Sequence, residues 1–316
     1  MLDIRQGDMS FTFFSNRNLP IFQAALEPVD GRLWSGVEPT VDLLYFDQYG
    51  GKQPPAGLAA RCQLIDRVRT IPLDHKQQLA QTLQARGLCL PRHFFSPESL
   101  PVESDTLWYV KDPLSTGGKR LWLCRRDEVA DFFEPGFVIQ EALTDVALYQ
   151  GRKFTLRTYV LVHEASVYWY PDSFLVVHGA TYDPATPDAA AHFSHIGYMQ
   201  PDSPIRLVPS TQYRHYFRME TPLVELLQDV YHLFEAQLGK SNPAGHFCLF
   251  GLDVLQLADG RVALIEINDR PNLHHTDEVN RLVNKPMLQA MARVLLGDKV
   301  SSAAAKPFEE LMFYEC

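Results

Sequence analysis

Residues 251–268 read GLDVLQLADGRVALIEIN. An Asp-Gly pair between two apolar runs is the signature of a tight β-hairpin. With Asp259 and Gly260 as a two-residue loop, Ala258 pairs with Arg261, and Asp253 falls opposite Glu266. Opposed side chains lie roughly 4.5–5.5 Å apart at Cβ. Asn268, two residues past Glu266, shares that face. In this register the face also carries Leu255, Leu257, Val262 and Leu264, so it is expected to be buried. Two carboxylates facing each other at the end of a buried face repel and lose hydration. A divalent cation removes both penalties, and two carboxylates with an amide suit Mg²⁺. The alternative is an exposed or proton-sharing carboxylate pair, and a one-residue slip of register would separate the two groups.

Working outward, the chain mixes strands and helices. VDLLYFDQY (41–49) reads as a buried strand, closed by the loop signal Gly50-Gly51-Lys52-Gln53-Pro54-Pro55. HKQQLAQTLQARG (75–87) reads as a helix with Asp74 as N-cap and Gly87 as stop. LWYV (107–110), LWLC (121–124) and FVIQ (137–140) read as strands, with a short helix over 125–133. RKFTLRTYVLV (152–162), SVYWY and SFLVV suggest an antiparallel sheet. Helices are expected over 221–239 and about 277–296, the last ending at Gly297. The fold class is therefore α+β, or mixed α/β. The tail after Gly297 is expected to be partly disordered, with a short terminal helix.

Cations punctuate this pattern. Lys111 ends a strand just before the glycine loop STGGK (115–119). Backbone N–H groups and an ammonium there complement phosphate, although a solvated hairpin turn has the same sequence. No Walker A pattern is present. Lys153, Thr155 and Arg157 alternate onto one strand face, directed at an anion or at solvent. His274 and His275 read as a polar loop, since no metal-ligand spacing such as HExxH occurs.

The 316 residues carry 29 Lys+Arg against 38 Asp+Glu, a formal charge of −9 that disfavours nucleic acid as the main partner. Composition is globular, and no run approaches ~18 apolar residues, so no membrane span is expected. No signal peptide is read at the start. Five cysteines, widely spaced and without a CxxC pair, fit a reduced, cytoplasmic protein.

Taken in order over about residues 62–296, the motifs resemble the tubulin–tyrosine ligase-like branch of the ATP-grasp superfamily. TLWYVKDPLSTGGKRLWL is similar to the family's phosphate strand and loop, FVIQEAL to its adenine hinge, and GRKFTLRTYVLV to its "R-K-F-D-[IL]-R" strand. AHFSHIGYMQ resembles "H-L-T-N-x-x-I-Q", and GLDVLQ with LIEINDRPNL resembles the metal-binding pair of segments. The resemblance implies two α+β lobes enclosing ATP, preceded by a small α/β domain. The expected division is 1–70 N-terminal domain, 71–150 central lobe, 151–297 C-terminal lobe and 298–316 tail. It implies nucleotide contacts from Lys76, Lys111, Gly117, Gly118, Gln140, Glu141, Ala142, Leu143 and Lys153. Mg²⁺ would be held by Asp253, Glu266 and Asn268, with Arg157 and Lys153 as catalytic cations.

The implied reaction is ATP- and Mg²⁺-dependent carboxylate–amine ligation through an acyl phosphate. An amino acid would be joined to a peptide or protein acceptor. Departures gather on the substrate side. Thr155 replaces an aspartate, Glu141 a frequent lysine and Ser194-His195 a Thr-Asn, and YPDSFLVVHG lacks an expected arginine. An ATP-binding pseudo-enzyme or interaction protein is the alternative, and an ATP-grasp kinase the third reading. The oligomeric state is not legible.

Overall fold

The computed structural model describes residues 10–88, 91–102, 105–115, 117–193, 200, 202–238, 244–301 and 306–311. Ser194, His195, Cys89 and Cys316 lie outside them.

The strands are β1 (Phe11–Ser15), β2 (Gly31–Leu33), β3 (Thr40–Tyr45), β4 (Ala59–Leu64), β5 (His93–Phe94), β6 (Trp108–Lys111), β7 (Leu121–Cys124) and β8 (Val138–Glu141). They continue with β9 (Leu148–Tyr149), β10 (Arg152–His163), β11 (Ser166–Val177), β12 (Arg206–Pro209), β13 (His246–Gln256), β14 (Val262–Asn268) and β15 (Glu309–Glu310). The helices are α1 (Leu19–Leu26), α2 (Arg67–Asp74), α3 (Lys76–Ala85), α4 (Val129–Phe132), α5 (Ala189–His192), α6 (Phe217–Leu238), α7 (Asp277–Val279) and α8 (Lys285–Leu296). A π-helical segment, Asn280–Asn284, joins α7 to α8.

One large sheet runs β12-β11-β10-β13-β4-β3-β1-β2, with β14 on β13, β15 on β11 and β9 on β10. The N-terminal strands are parallel, and β4 joins them to β13 at His246 and Phe247. A second sheet, β5-β8-β6-β7, is antiparallel. Helices α1 and α8 cover one face of the large sheet through Phe22, Leu26, Met287 and Met291. Helix α6 covers the other through Met219, Leu223, Leu227, Val230 and Phe234, spaced for one helical face. Coverage on both faces explains why β10 is buried without interruption from Lys153 to Val162.

Several local expectations are corrected. Asp74 ends α2 instead of capping α3; the cap is His75, whose ring accepts from the Gln78 amide. Helix α6 begins at Phe217 and carries Pro222 inside it. SVYWY and SFLVV form one strand, β11, which has three residues between Tyr170 and Phe174 where β10 has one between Tyr159 and Arg157. The tail is not loose at 306–311: β15 pairs with β11, Phe308 packs on Tyr170, and Lys306 Nζ lies 2.7 Å from Asp172.

The β4–β13 junction depends on Gly245, whose φ is +76° and whose missing Cβ would sit 2.2 Å from the Arg61 carbonyl oxygen. Backbone cannot yield as a side chain does. Gly245→Ala is expected to cost about 2–4 kcal/mol, read as a lowered urea midpoint at unchanged m-value.

Candidate functional site

The site lies where the second sheet faces β10, β13 and β14. Asp253 does face Glu266, but by a different route from the simple hairpin count. The turn holds three residues, Ala258 to Gly260, because the Leu257 amide donates to the Arg261 carbonyl at 2.8 Å, and Gly260 has φ +94°. That shifts the register by one. An extra residue in β14, Ile265, then shifts it back, since Val254 pairs with Leu264 and Asp253 with Glu266. The bulge also changes the faces. Val262 and Leu264 pack on the α6 side, whereas Leu255 pairs with Ala263 on the Asp253 side.

Asn268 joins the two carboxylates: its Nδ2 lies 3.5 Å from Asp253 Oδ2 and 3.4 Å from Glu266 Oε1. Burial and the neighbouring Glu266 charge push the Asp253 carboxyl up, against the pull of Arg157. Arg157 forks onto Asp253 from the adjacent strand, Nε at 2.6 Å and Nη2 at 2.9 Å. Among the described residues no three His, Cys, Asp or Glu converge as a metal cluster. The fit to a cation therefore rests on two carboxylates and one amide. These are hard oxygen donors, too few to saturate Mg²⁺ and so compatible with phosphate and water in its remaining positions.

Lysines stand on both walls. Lys111, buried on β6, donates to Gln140 Oε1 at 2.6 Å, and burial lowers its pKa to about 8. Lys153, on β10, is 2% exposed. Its Nζ lies 3.4 Å from the Tyr109 hydroxyl and 5.5 Å from the Tyr182 ring centre. Burial and the Lys111 charge bring it down to about 7. Lys76 at the start of α3 reaches both sides, donating to the Ser115 carbonyl at 2.8 Å and standing 4.0 Å from Glu266. Gly117 and Gly118, with φ of +66° and +73°, form the β6–β7 hairpin tip that Lys76 holds. Leu79, Leu83, Val138, Gln140 and Ile265 line a small cavity between α3, β8 and β14, next to Lys111.

At the end of β8, the Glu141 amide donates to the Arg92 carbonyl and the Ala142 amide to that of Leu107. The Glu141 carboxylate is forked by Arg92 at 2.6 and 2.9 Å. Gln140 and Glu141 end β8 and Ala142 and Leu143 follow it, with the Glu141 and Ala142 amides bonded to neighbouring backbone. Thr155 sits between Lys153 and Arg157, its hydroxyl 3.4 Å from His178 Nε2, and His178 Nδ1 is 3.0 Å from the Ala191 carbonyl. Beneath the cleft, Thr70 donates to Asp269 at 2.6 Å and Arg270 to the Ile65 carbonyl at 2.6 Å, fixing α2 to the end of β14. Asp74 is pushed up to about 6 by burial and Asp269.

Tyr109 and Tyr182, which cage Lys153, were not singled out from the sequence. Tyr109 had a usable signal: two residues before Lys111 on one strand, it must share its face. Tyr182 had none, because it lies in a loop after β11.

Two sheets thus enclose a cleft: the large sheet carries the paired carboxylates with Lys153 and Arg157, and the second sheet carries Lys111, a layout that suits a polyanion accompanied by a hard cation. A family model described as "Tubulin-tyrosine ligase family" matches residues 54–201 and 226–303, and the chain belongs to this family, within the ATP-grasp superfamily. Its members are generally ATP-dependent amide ligases that act on a protein or peptide with an amino acid. No curated protein matches the chain. Among the described residues no helix is long and apolar enough to cross a membrane.

Proposed function

We propose that the protein is an ATP- and Mg²⁺-dependent carboxylate–amine ligase that adds an amino acid to a peptide or protein in the cytoplasm. The observation that carries this reading is the convergence of Asp253, Glu266, Asn268 and Lys153 on the large sheet, across the cleft from Lys111 on the second sheet. ATP with Mg²⁺, when bound, supplies the phosphoryl group that activates the carboxylate. Asp253, Glu266 and Asn268 hold the cation, the amide presenting its oxygen in place of the nitrogen that now faces the carboxylates. Lys111 and Lys153 bind phosphates, recovering the proton and charge that burial disfavours. Lys76, Gly117 and Gly118 close over the nucleotide, and Gln140 to Leu143 receive the adenine. Arg157 stabilises the acyl phosphate and its tetrahedral successor. The closed cleft keeps water from the acyl phosphate. The proposed division assigns 71–150 and 151–297 to the nucleotide lobes and 1–70 to acceptor binding, with no role for nucleic acid.

A non-catalytic nucleotide binder is the second reading, favoured by one observation: the Thr155 hydroxyl, 3.4 Å from His178 Nε2, stands on the strand between two cations. Release of ADP, screened over amino acids with peptide acceptors, separates the two. The ligase requires both a carboxylate and an amine. Release without an amine indicates a kinase, and binding without release indicates the non-catalytic reading.

A further inference from the structure

Tyr109 meets both buried lysines. It lies on β6, 7% exposed, two residues before Lys111 and so on the same strand face. Lys111 Nζ stands 5.5 Å from the centre of its ring, and Lys153 Nζ stands 5.7 Å from that centre. Both distances are in the range of a cation–π contact. Lys111 belongs to the second sheet and Lys153 to the large one, so one ring serves a cation from each wall.

The ring is itself fixed. It packs with Leu107, Ala142 and Phe193, the Phe193 ring centre 6.0 Å away. Its hydroxyl donates to the His192 carbonyl at 3.3 Å. With its one proton on that bond, the phenol oxygen accepts from Lys153 Nζ at 3.4 Å. Lys111 donates to the Gln140 amide oxygen. These hydrogen bonds of both ammonium groups therefore go to neutral oxygens.

Such partners suit a cation that must later take up an anion. Burial penalises both charges, and the Lys111 charge acts against Lys153. An aromatic face carries partial negative charge, which offsets that cost without a formal charge. A carboxylate in the same place would hold the lysines more tightly, but it would also repel phosphate.

We propose that Tyr109 is a positioning residue of the nucleotide site, whose ring holds Lys111 and Lys153 charged and at one spacing so that both meet the same polyphosphate chain. The inference rests on the assignment of both lysines to phosphate, which the ligase and the non-catalytic nucleotide readings share. Tyr109 acts through the lysines and takes no part in bond making.

The test is a calorimetric titration of the full chain with magnesium tripolyphosphate and, separately, with adenosine. Tyr109→Phe keeps the ring and loses the hydroxyl, so tripolyphosphate binding should weaken by no more than about threefold. Tyr109→Leu loses the ring, and tripolyphosphate should bind about tenfold or more weakly, with adenosine binding unchanged. Replacing Tyr109 by phenylalanine with one, two and three ring fluorines keeps the shape while draining the ring face. Affinity for tripolyphosphate should then fall stepwise with each fluorine. Equal affinity across the fluorinated series overturns the proposal. So does a Tyr109→Leu variant that binds tripolyphosphate as tightly as wild type, or a Tyr109→Phe variant as weak as Tyr109→Leu. Equal loss of tripolyphosphate and adenosine binding in Tyr109→Leu also overturns it, since the ring would then serve only the fold. Should Tyr109→Leu not fold, the fluorinated series decides. Failure of the nucleotide reading registers separately: folded wild type that binds neither magnesium tripolyphosphate nor ATP·Mg²⁺ removes that reading and the proposal with it.

Discussion

Lys153→Met is expected to make the nucleotide-free protein more stable while abolishing ATP turnover. Lys153 is 2% exposed and faces the Tyr109 and Tyr182 rings, and no carboxylate is among the causes that shift its proton affinity. Its pKa falls from 10.5 to about 7 through burial and the Lys111 charge. A base with a depressed folded pKa binds fewer protons folded than unfolded, so stability rises with pH across that window. Stability is intact above about 10.5, is lost as pH falls toward 7, and stays low below it. Methionine fills much the same volume without the charge. Its Tm should exceed wild type by a few degrees at pH 6, with the gap closing by pH 10. Calorimetric scans at both values test this; a gap that does not depend on pH would mean that the ammonium is not the source of the cost. The stored cost is what bound phosphate would relieve, the familiar exchange of stability for function.

Arg157→Leu should act in the opposite direction. The variant leaves Asp253, 3% exposed, without the guanidinium that forks it at 2.6 and 2.9 Å and beside the Glu266 carboxylate. Breaking one side of a buried ion pair costs about 3–5 kcal/mol. The orphaned carboxyl takes up a proton more readily, its folded pKa rising further above 3.8. A raised acid contributes stability at low pH that disappears as pH rises through its folded pKa. The deficit should therefore be larger at pH 8 than at pH 5, as read from urea midpoints. Adding Asp253→Asn should restore much of the loss, because the amide needs no counter-charge. If the double variant is no more stable than the single one, the pair is not what Arg157 supports.

Much of the site was legible because strand alternation is strict. Lys153 with Arg157, and Glu266 with Asn268, keep their faces whatever their neighbours do. The hairpin was legible only through two compensating errors. Asp-Gly suggests a two-residue loop, but here Gly260 supplies the left-handed residue of a three-residue loop, and the extra Ile265 restores the pairing. Nothing local marks Ile265 as extra, since a bulge is chosen by packing on both faces. Asp74 misleads for a related reason: capping propensity is local, while its place at the end of α2 is set by the contacts of Arg67 with Asp74 and Asp269. His275 reads as part of a polar loop but is buried, because its partners Asn280 and Asn284 come from a π segment that no short motif joins to it.

The most direct test of the account is a calorimetric titration of the protein with ATP, with and without Mg²⁺, beside Glu266→Ala. Micromolar binding that requires Mg²⁺ and is lost in the variant while the fold persists is expected. Folded wild type that binds no ATP in either condition would contradict it.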